Sequence, residues 1–460
     1  MKLVLLSGGS GKRLWPLSNE ARSKQFLRIL HNPDGKRESM IQRIWRQLNA
    51  NPVSDEVYIS ASPKHAELIQ KQLGNKVCLI TEPEARDTFP AIALLSAYFH
   101  SELAVDPGEV VTVMPVDPYV GDSFFTVIKQ LEQALTLSQA DLALVGVAPT
   151  YPSTKYGYII PAAGGAGGNA GQPFQKVIGF KEKPSEREAR ELIARQALWN
   201  CGVFSFRLGY MLEELEKRGW PSDYLRLLPL YRELPSISFD YEVVEKAERV
   251  VVIPYDGEWK DLGTWNTLTE EMGARETGDR ILAEKCANTH IINELDLPVV
   301  AIGLSDLVVA ASPDGILVSR KSLSHLVKQV TKDVRQRPMF EERRWGSYRV
   351  LHRQEDGENR EVLTKALHLQ AGKNISYQYH RNRSEVWVIT AGEGELVLND
   401  QIRRVRPGDV AKIPAGAKHA IKAITDLDII EVQMGSNLEE KDIVRLAESW
   451  EEIRGAENPG

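Results

Sequence analysis

A short apolar run that ends in glycines sets the strongest limit on what this chain can fold into. Leu3-Val4-Leu5-Leu6 is followed by Ser7-Gly8-Gly9-Ser10-Gly11-Lys12-Arg13 and then by Ser23-Lys24-Gln25-Phe26. Such a run, bounded by Gly, is too short for a helix or the apolar region of a signal peptide and reads as a buried strand. Glycine then lets the backbone turn sharply and approach a ligand with no Cβ in the way. With exposed amides, Arg13 and Lys24, the stretch reads as an anion cradle, best suited to a polyphosphate. Two commoner glycine motifs are excluded. A Walker A loop needs Gly and Ser or Thr where Leu6 and Arg13 stand, and a dinucleotide fingerprint needs a third Gly where Leu14 stands. The remaining alternative is a plain tight turn between a strand and a helix.

The pattern downstream places that loop in a layered α/β domain. Strands are expected at Glu56 to Ser60, Val77 to Ile80, Val110 to Met114 and Leu142 to Val147, with helices at Met40 to Leu48, His65 to Leu73, Ala91 to Leu103 and Phe125 to Ser138. Strands alternating with helices imply βαβ units and a mainly parallel sheet with ligands at the strands' carboxyl ends. At 460 residues the chain is expected to hold two or three domains. A net charge of -6 gives no global attraction for nucleic acid or an anionic membrane, so phosphate chemistry must rest on local cations. No apolar run reaches the roughly 20 residues of a membrane span, and the cytoplasm is the expected location. The three cysteines, Cys78, Cys201 and Cys286, are too few and too far apart for a disulfide framework or a Cys-based zinc site.

Several later motifs carry chemistry. Asp117 follows a buried strand, where a carboxylate either caps the next helix or faces a ligand at the sheet edge. Glu82-Pro83-Glu84-Ala85-Arg86-Asp87-Thr88-Phe89-Pro90 opens a helix, with Thr88 as its cap and Pro90 in its first turn. A turn-rich stretch runs through Lys155-Tyr156-Gly157-Tyr158, and the small-residue segment Gly164 to Gly171 reads as a mobile hairpin linker. Phe180-Lys181-Glu182-Lys183-Pro184, Trp199-Asn200-Cys201-Gly202, Asp240-Tyr241 and Trp259-Lys260-Asp261-Leu262-Gly263 follow in order. Asp117 and Asp261 are surface turn formers taken singly. As a separated pair they suit Mg²⁺, which takes one or two carboxylates together with substrate phosphates.

From about Gly278 to Val330 short aliphatic strands recur without obvious chemistry, and Lys332 to Pro338 is a polar linker ending at proline. From Trp345 the pattern changes to short alternating strands with Gly and Pro turns, which indicates a double-sheet β-barrel. Gln378-Tyr379-His380 with Glu385 and a distant His419 has the spacing of a divalent transition-metal site, and alternation puts Gln378 and His380 on one strand face.

Taken in order, these motifs resemble those of the sugar-1-phosphate nucleotidylyltransferases, specifically the bacterial mannose-1-phosphate guanylyltransferases. Their Gly-Gly-Ser-Gly-x-Arg-Leu-Trp-Pro-Leu-Ser signature is kept from Gly8 to Ser18, with Lys12 where Thr is usual and Ser23 where Pro is usual. Pro118 replaces a His after the metal-binding Asp, and Asp87 and Phe89 depart from the segment that approaches guanine. The C-terminal part resembles the cupin of bifunctional guanylyltransferases that also act as mannose-6-phosphate isomerases, although Asn382 and Val386 replace two of its histidines.

The resemblance implies a Rossmann-like (GT-A-like) nucleotidyltransferase domain at 1–275, a small β-rich connector at 276–335 and a cupin at 336–460. It implies catalytic roles for Arg13, Lys24 and Lys183. Nucleotide contacts fall to Leu6, Gly8, Gly9, Ser10, Gly11, Lys12, Arg13, Lys24, Arg86, Asp87 and Thr88. Sugar-phosphate contacts fall to Asp117, Tyr156, Gly157, Glu182, Lys183, Asn200 and Gly202. Asp117 and Asp261 would hold Mg²⁺, and Gln378, His380, Glu385 and His419 would hold Zn²⁺ or another divalent transition metal. The expected partners are GTP and mannose 1-phosphate, without nucleic acid or membrane, and a homodimer is the assembly the resemblance allows. The expected reaction transfers GMP to the sugar phosphate. Alternatives are a different nucleotide or hexose phosphate, an isomerase acting through the cupin, and a non-enzymatic sugar-nucleotide sensor.

Overall fold

Strands of four to ten residues, several of them apolar runs, form a nine-stranded sheet. In chain order its strands are β1 (Lys2–Ser7), β2 (Val57–Ala61), β3 (Cys78–Thr81), β4 (Val110–Pro115), β5 (Leu142–Val147), β6 (Tyr158–Pro161), β7 (Gln175–Lys181), β8 (Leu198–Arg207) and β9 (Val250–Tyr255). They lie in the order β3-β2-β1-β4-β8-β5-β9-β7-β6. Only β7 and β8 run against the rest, so the sheet is mainly parallel, with β8 wedged antiparallel between β4 and β5. This computed structural model describes every residue except 10, 163–172, 335–336, 357–359, 437, 439–441 and 456–460, so the expected Gly164 to Gly171 hairpin lies outside the described residues.

Alternation along the strands sends side chains to both faces of the sheet. Leu3 and Leu5 join one buried cluster, and Val4 joins another. Helices Met40–Ala50, Pro63–Leu73, Thr88–Ser101 and Ser123–Ser138 are α1 to α4. Ser39 and Gln42 close a capping box on α1, and Ser62 caps α2 with proline at its first turn. The cap of α3 is Asp87 rather than Thr88: Asp87 sits at φ 75 and its carboxylate accepts from the Thr88 amide at 2.8 Å. Asp tolerates this left-handed backbone better than β-branched Thr does, which is why the cap falls one residue earlier than the sequence suggests.

The described chain divides into two compact units. The first is Met1–Leu14, Ser23–Arg275 and Lys321–Lys328; the second is Trp15–Arg22, Glu276–Arg320 and Gln329–Gly460. Within the second unit, strands Glu276–Gly278, His290–Asn293, Leu307–Ser312 and Gly315–Arg320 form one sheet. Residues 15–22 belong with it through Arg22, whose guanidinium grips Glu294 with two bonds of 2.9 and 2.7 Å, and through Asn19, which donates to Asp314 at 2.6 Å.

The rest of that unit is a double-sheet β-barrel. Six strands, Phe340–Arg343, Gly346–Asp356, Arg360–Leu369, Leu427–Gly435, Arg383–Ala391 and Val410–Ile413, face five: Gln401–Val405, Gly394–Leu398, His419–Ala423, Tyr377–His380 and Ile443–Ala447. Trp387, Leu396, Ile421, Leu427 and Ile429 fill the space between them. No helix among the described residues is long and apolar enough to cross a membrane.

Candidate active site

β1 and β4 are parallel neighbours, with Leu6 opposite Pro115, so the glycine loop and Asp117 leave the sheet side by side at its carboxyl edge. The loop is held from beneath. Ser23 Oγ donates to the Gly9 carbonyl at 3.0 Å, and the His65 ring spans Ser23 Oγ (Nε2, 3.0 Å) and the Ser7 carbonyl (Nδ1, 3.3 Å). Burial lowers the His65 pKa and keeps the ring neutral. In a trans peptide the carbonyl and the next N–H point opposite ways. Fixing the Ser7 carbonyl inward therefore turns the Gly8 amide toward the cavity that Gly8, Gly9 and Gly11 line. Gly9 and Gly11 have φ of 115 and 63, conformations open to glycine at little cost.

That cavity, about 400 Å³, is also lined by Arg13, Lys24, Gln25, Asp117, Tyr156, Asn200, Cys201, Trp259, Asp261 and Lys328. Lys24 Nζ lies 2.7 Å from Asp117 Oδ2 and 2.9 Å from Asp261 Oδ1. Burial works against its charge, but the two carboxylates outweigh burial and raise its pKa above the ordinary lysine value. Asp261 shows the converse. Burial would raise its carboxyl, yet Lys24, Arg13 and Lys155 pull it below the ordinary aspartate value. Two carboxylates far apart in sequence, each bonded to one ammonium, converge on a single point suited to a cation. The donor set fits a hard divalent ion completed by phosphate oxygens. Cys201 is no nucleophile: burial pushes its thiol up to about 12, and the thiol donates to the Val145 carbonyl.

The sugar-side residues form a second group. The Asn200 amide N–H donates to the Gly157 carbonyl at 2.8 Å, and the Lys183 amide to the Tyr156 carbonyl at 3.2 Å. A Cβ on Gly157 would come within 2.4 Å of Glu182 Oε2 and 2.8 Å of the Phe180 ring, so a larger residue here would have to push these side chains aside. Lys183 pairs with Glu182 at 2.6 Å and lies over the Tyr241 ring. Asn200 also donates to Asp240. Burial and the nearby Glu182 charge raise Asp240 to about 6.

Among the predicted residues, Gly8, Gly9, Gly11, Arg13, Lys24, Asp117, Tyr156, Asn200 and Asp261 share the cavity. Leu6 is the next-to-last residue of β1, and its carbonyl accepts from the Val116 amide. Gly202 follows at φ 76, its amide bonded to Asn200 Oδ1 at 3.1 Å. Arg86, Asp87 and Thr88 do not line it. Arg86 bonds Glu84 and the Leu234 carbonyl, and Thr88 Oγ1 accepts from the Phe239 amide. Ser10 lies outside the described residues, and Lys12 falls in the short turn after the loop. Sequence reasoning missed Lys328 and the His65 buttress, and named Asp240 only as part of the Asp240-Tyr241 motif. His65 sits in an ordinary amphipathic helix, which gave no signal.

In the barrel, His380, Glu385 and His419 are buried with ligand atoms all within 4.8 Å of one another. Among the described residues His419 Nε2 has no hydrogen-bond partner and lies 3.6 Å from Glu385 Oε2, which fits a divalent transition ion. Gln378 pairs with His419 across neighbouring strands, and its side-chain oxygen accepts from Ser376. Burial would raise the Glu385 carboxyl, but His380, His419 and Arg383 pull it down. Arg383 stands against the triad, 3.1 Å from Glu385 and 3.3 Å from His380 Nε2.

A glycine cradle and a cation-bridged carboxylate pair at the edge of a mainly parallel sheet define a nucleotide-handling transferase site. Residues 2–277 match the nucleotidyl transferase family and residues 332–448 the mannose-6-phosphate isomerase C-terminal family. The chain is 32% identical to the xanthan biosynthesis protein XanB of Xanthomonas campestris pv. campestris strain B100, over 97% of this chain and 98% of the relative. It is 31% identical to the mannose-1-phosphate guanylyltransferase of Escherichia coli K12, with the same coverage of each. A solved structure described as mannose-1-phosphate geranyltransferase from Thermus thermophilus shares 30% identity at a TM-score of 0.58, covering 72% of this chain and 98% of that one. The chain belongs to the nucleotidyl transferase family, in its mannose-1-phosphate guanylyltransferase branch with an isomerase-type C-terminal domain.

Proposed function

We propose that the chain joins mannose 1-phosphate and GTP into GDP-mannose and diphosphate. The observation that carries this reading is the convergence of Arg13, Lys24, Asp117 and Asp261 on one cavity beside the glycine loop. An oxygen of the sugar phosphate attacks the α-phosphorus in line, and the bond from that phosphorus to the diphosphate breaks. The attacking phosphate is already ionised, so no general base is needed, and catalysis rests on positioning and charge neutralisation. An ammonium has three donors. Two of those on Lys24 are taken by carboxylates, which leaves a third for a nucleotide phosphate. Arg13 binds the leaving diphosphate, the loop amides cradle its oxygens, and Lys183 holds the sugar phosphate. Asp117 and Asp261 would hold Mg²⁺, which would supply charge neutralisation for the phosphates. We assign this chemistry to residues 1–275, with 276–335 as connector and 336–460 as cupin. A diphosphate-release assay with GTP, ATP, UTP and dTTP tests it, and turnover with another nucleotide above that with GTP would overturn the guanine assignment.

The buried His380, Glu385 and His419 favour a second activity, interconversion of mannose 6-phosphate and fructose 6-phosphate in the cupin. Supplying mannose 6-phosphate with Zn²⁺ or Co²⁺ should yield fructose 6-phosphate, and no product with either metal would remove this activity.

A further inference from the structure

Residues 278–330 offered no chemistry as a sequence, yet Lys321–Lys328 belongs with the transferase unit and lines its cavities. The stretch is a 3-10 turn followed by a short helix, and Ser324 Oγ fastens it by accepting from the Asn266 amide at 3.1 Å. Ser324 and Val327 are buried, whereas Lys328 is exposed and lines the cavity with Gly8, Arg13, Lys24, Asp117 and Asp261.

Charge decides what Lys328 is for. Arg13 and Lys24 only cancel Asp117 and Asp261. A nucleoside triphosphate and a sugar phosphate bring several more negative charges than one divalent ion removes, so the site needs further cations. Lys183, paired with Glu182, is assigned to the sugar phosphate and does not line the cavity of the glycine loop. Lys328 has no hydrogen bond or ion pair from its side chain among the described residues, and its cavity holds the glycine loop and Arg13 together with Tyr156 and Asn200. Resting on the transferase reading above, we propose that Lys328 is a further phosphate-binding residue that holds the diphosphate leaving group.

The test is equilibrium binding of inorganic diphosphate, with Mg²⁺, to the full chain and to Lys328→Ala and Lys328→Arg. Loss of one charge-assisted contact should weaken diphosphate binding about tenfold in Lys328→Ala. Lys328→Arg should restore it, and the KM for mannose 1-phosphate should stay unchanged in both. Unaltered diphosphate affinity in Lys328→Ala would overturn the proposal while leaving the transferase reading intact. So would a loss that Arg fails to restore, or an equal loss for mannose 1-phosphate. If the unmodified chain binds no diphosphate, the transferase reading and this inference fall together.

Discussion

Lys24 contacts both carboxylates, so each of the three side chains depends on the other two. Asp117→Asn or Asp261→Asn should lower turnover by about two to three orders of magnitude, the scale of losing one electrostatic contact in a dry site, with the circular dichroism spectrum unchanged. Near-normal rates would refute the carboxylate roles. Asp240 titrates in the opposite sense from a salt-bridged acid. Its folded pKa of about 6 lies above the ordinary 3.8, so its contribution to stability is complete below pH 3.8 and is lost as pH rises to about 6. Above that, the buried charge costs on the order of 3 kcal/mol. Asp240→Asn should therefore melt higher than the unmodified chain at pH 7.5 and level with it near pH 4; a lower melting point at both would contradict this. Asp117, Asp261 and Lys183 were legible because each sits in a motif of several residues. Asp240 was legible as part of the Asp240-Tyr241 motif, but its contact with Asn200 was not, and Lys328 was not legible at all, because its place in the cavity comes only from what folding brings beside it.

The glycine loop works as an element only if its peptide planes are held. His65→Ala removes the strut under the Ser7 carbonyl and leaves Ser23 with one partner fewer. The KM for GTP should rise about tenfold, the cost of roughly one buried hydrogen bond, while the KM for mannose 1-phosphate changes little; equal changes in both would assign His65 a general structural role. Gly157→Ala should do the reverse, since its Cβ would displace Glu182 beside Lys183. The individual elements could be read from local pattern. Leu142–Val147 falls where its apolar run puts it. The reversed β8 could not be, because strand direction is settled by non-local pairing that a ten-residue pattern does not encode. The α3 cap falls one residue before Thr88 because Asp is at least as good a cap as Thr and the backbone at Asp87 decides the geometry.

At the scale of the whole molecule, a transferase unit and a barrel with a buried His380, Glu385 and His419 group lie in one chain. Zn²⁺ or Co²⁺ should raise the barrel's melting temperature by mass action on the His380, Glu385 and His419 group, and Glu385→Gln should abolish that shift; a shift that persists in the variant would place the metal elsewhere. Both halves were announced by motif order along the sequence. The grouping of residues 15–22 and 321–328 was not, because Arg22, Asn19 and Ser324 act through partners 272, 295 and 58 residues away. The central claim is transfer of GMP to mannose 1-phosphate, and diphosphate release tests it most directly. With mannose 1-phosphate and Mg²⁺, GTP should release diphosphate faster than ATP, UTP or dTTP, and release should stop when Mg²⁺ is chelated. No diphosphate from GTP and mannose 1-phosphate, or undiminished release without Mg²⁺, would contradict it.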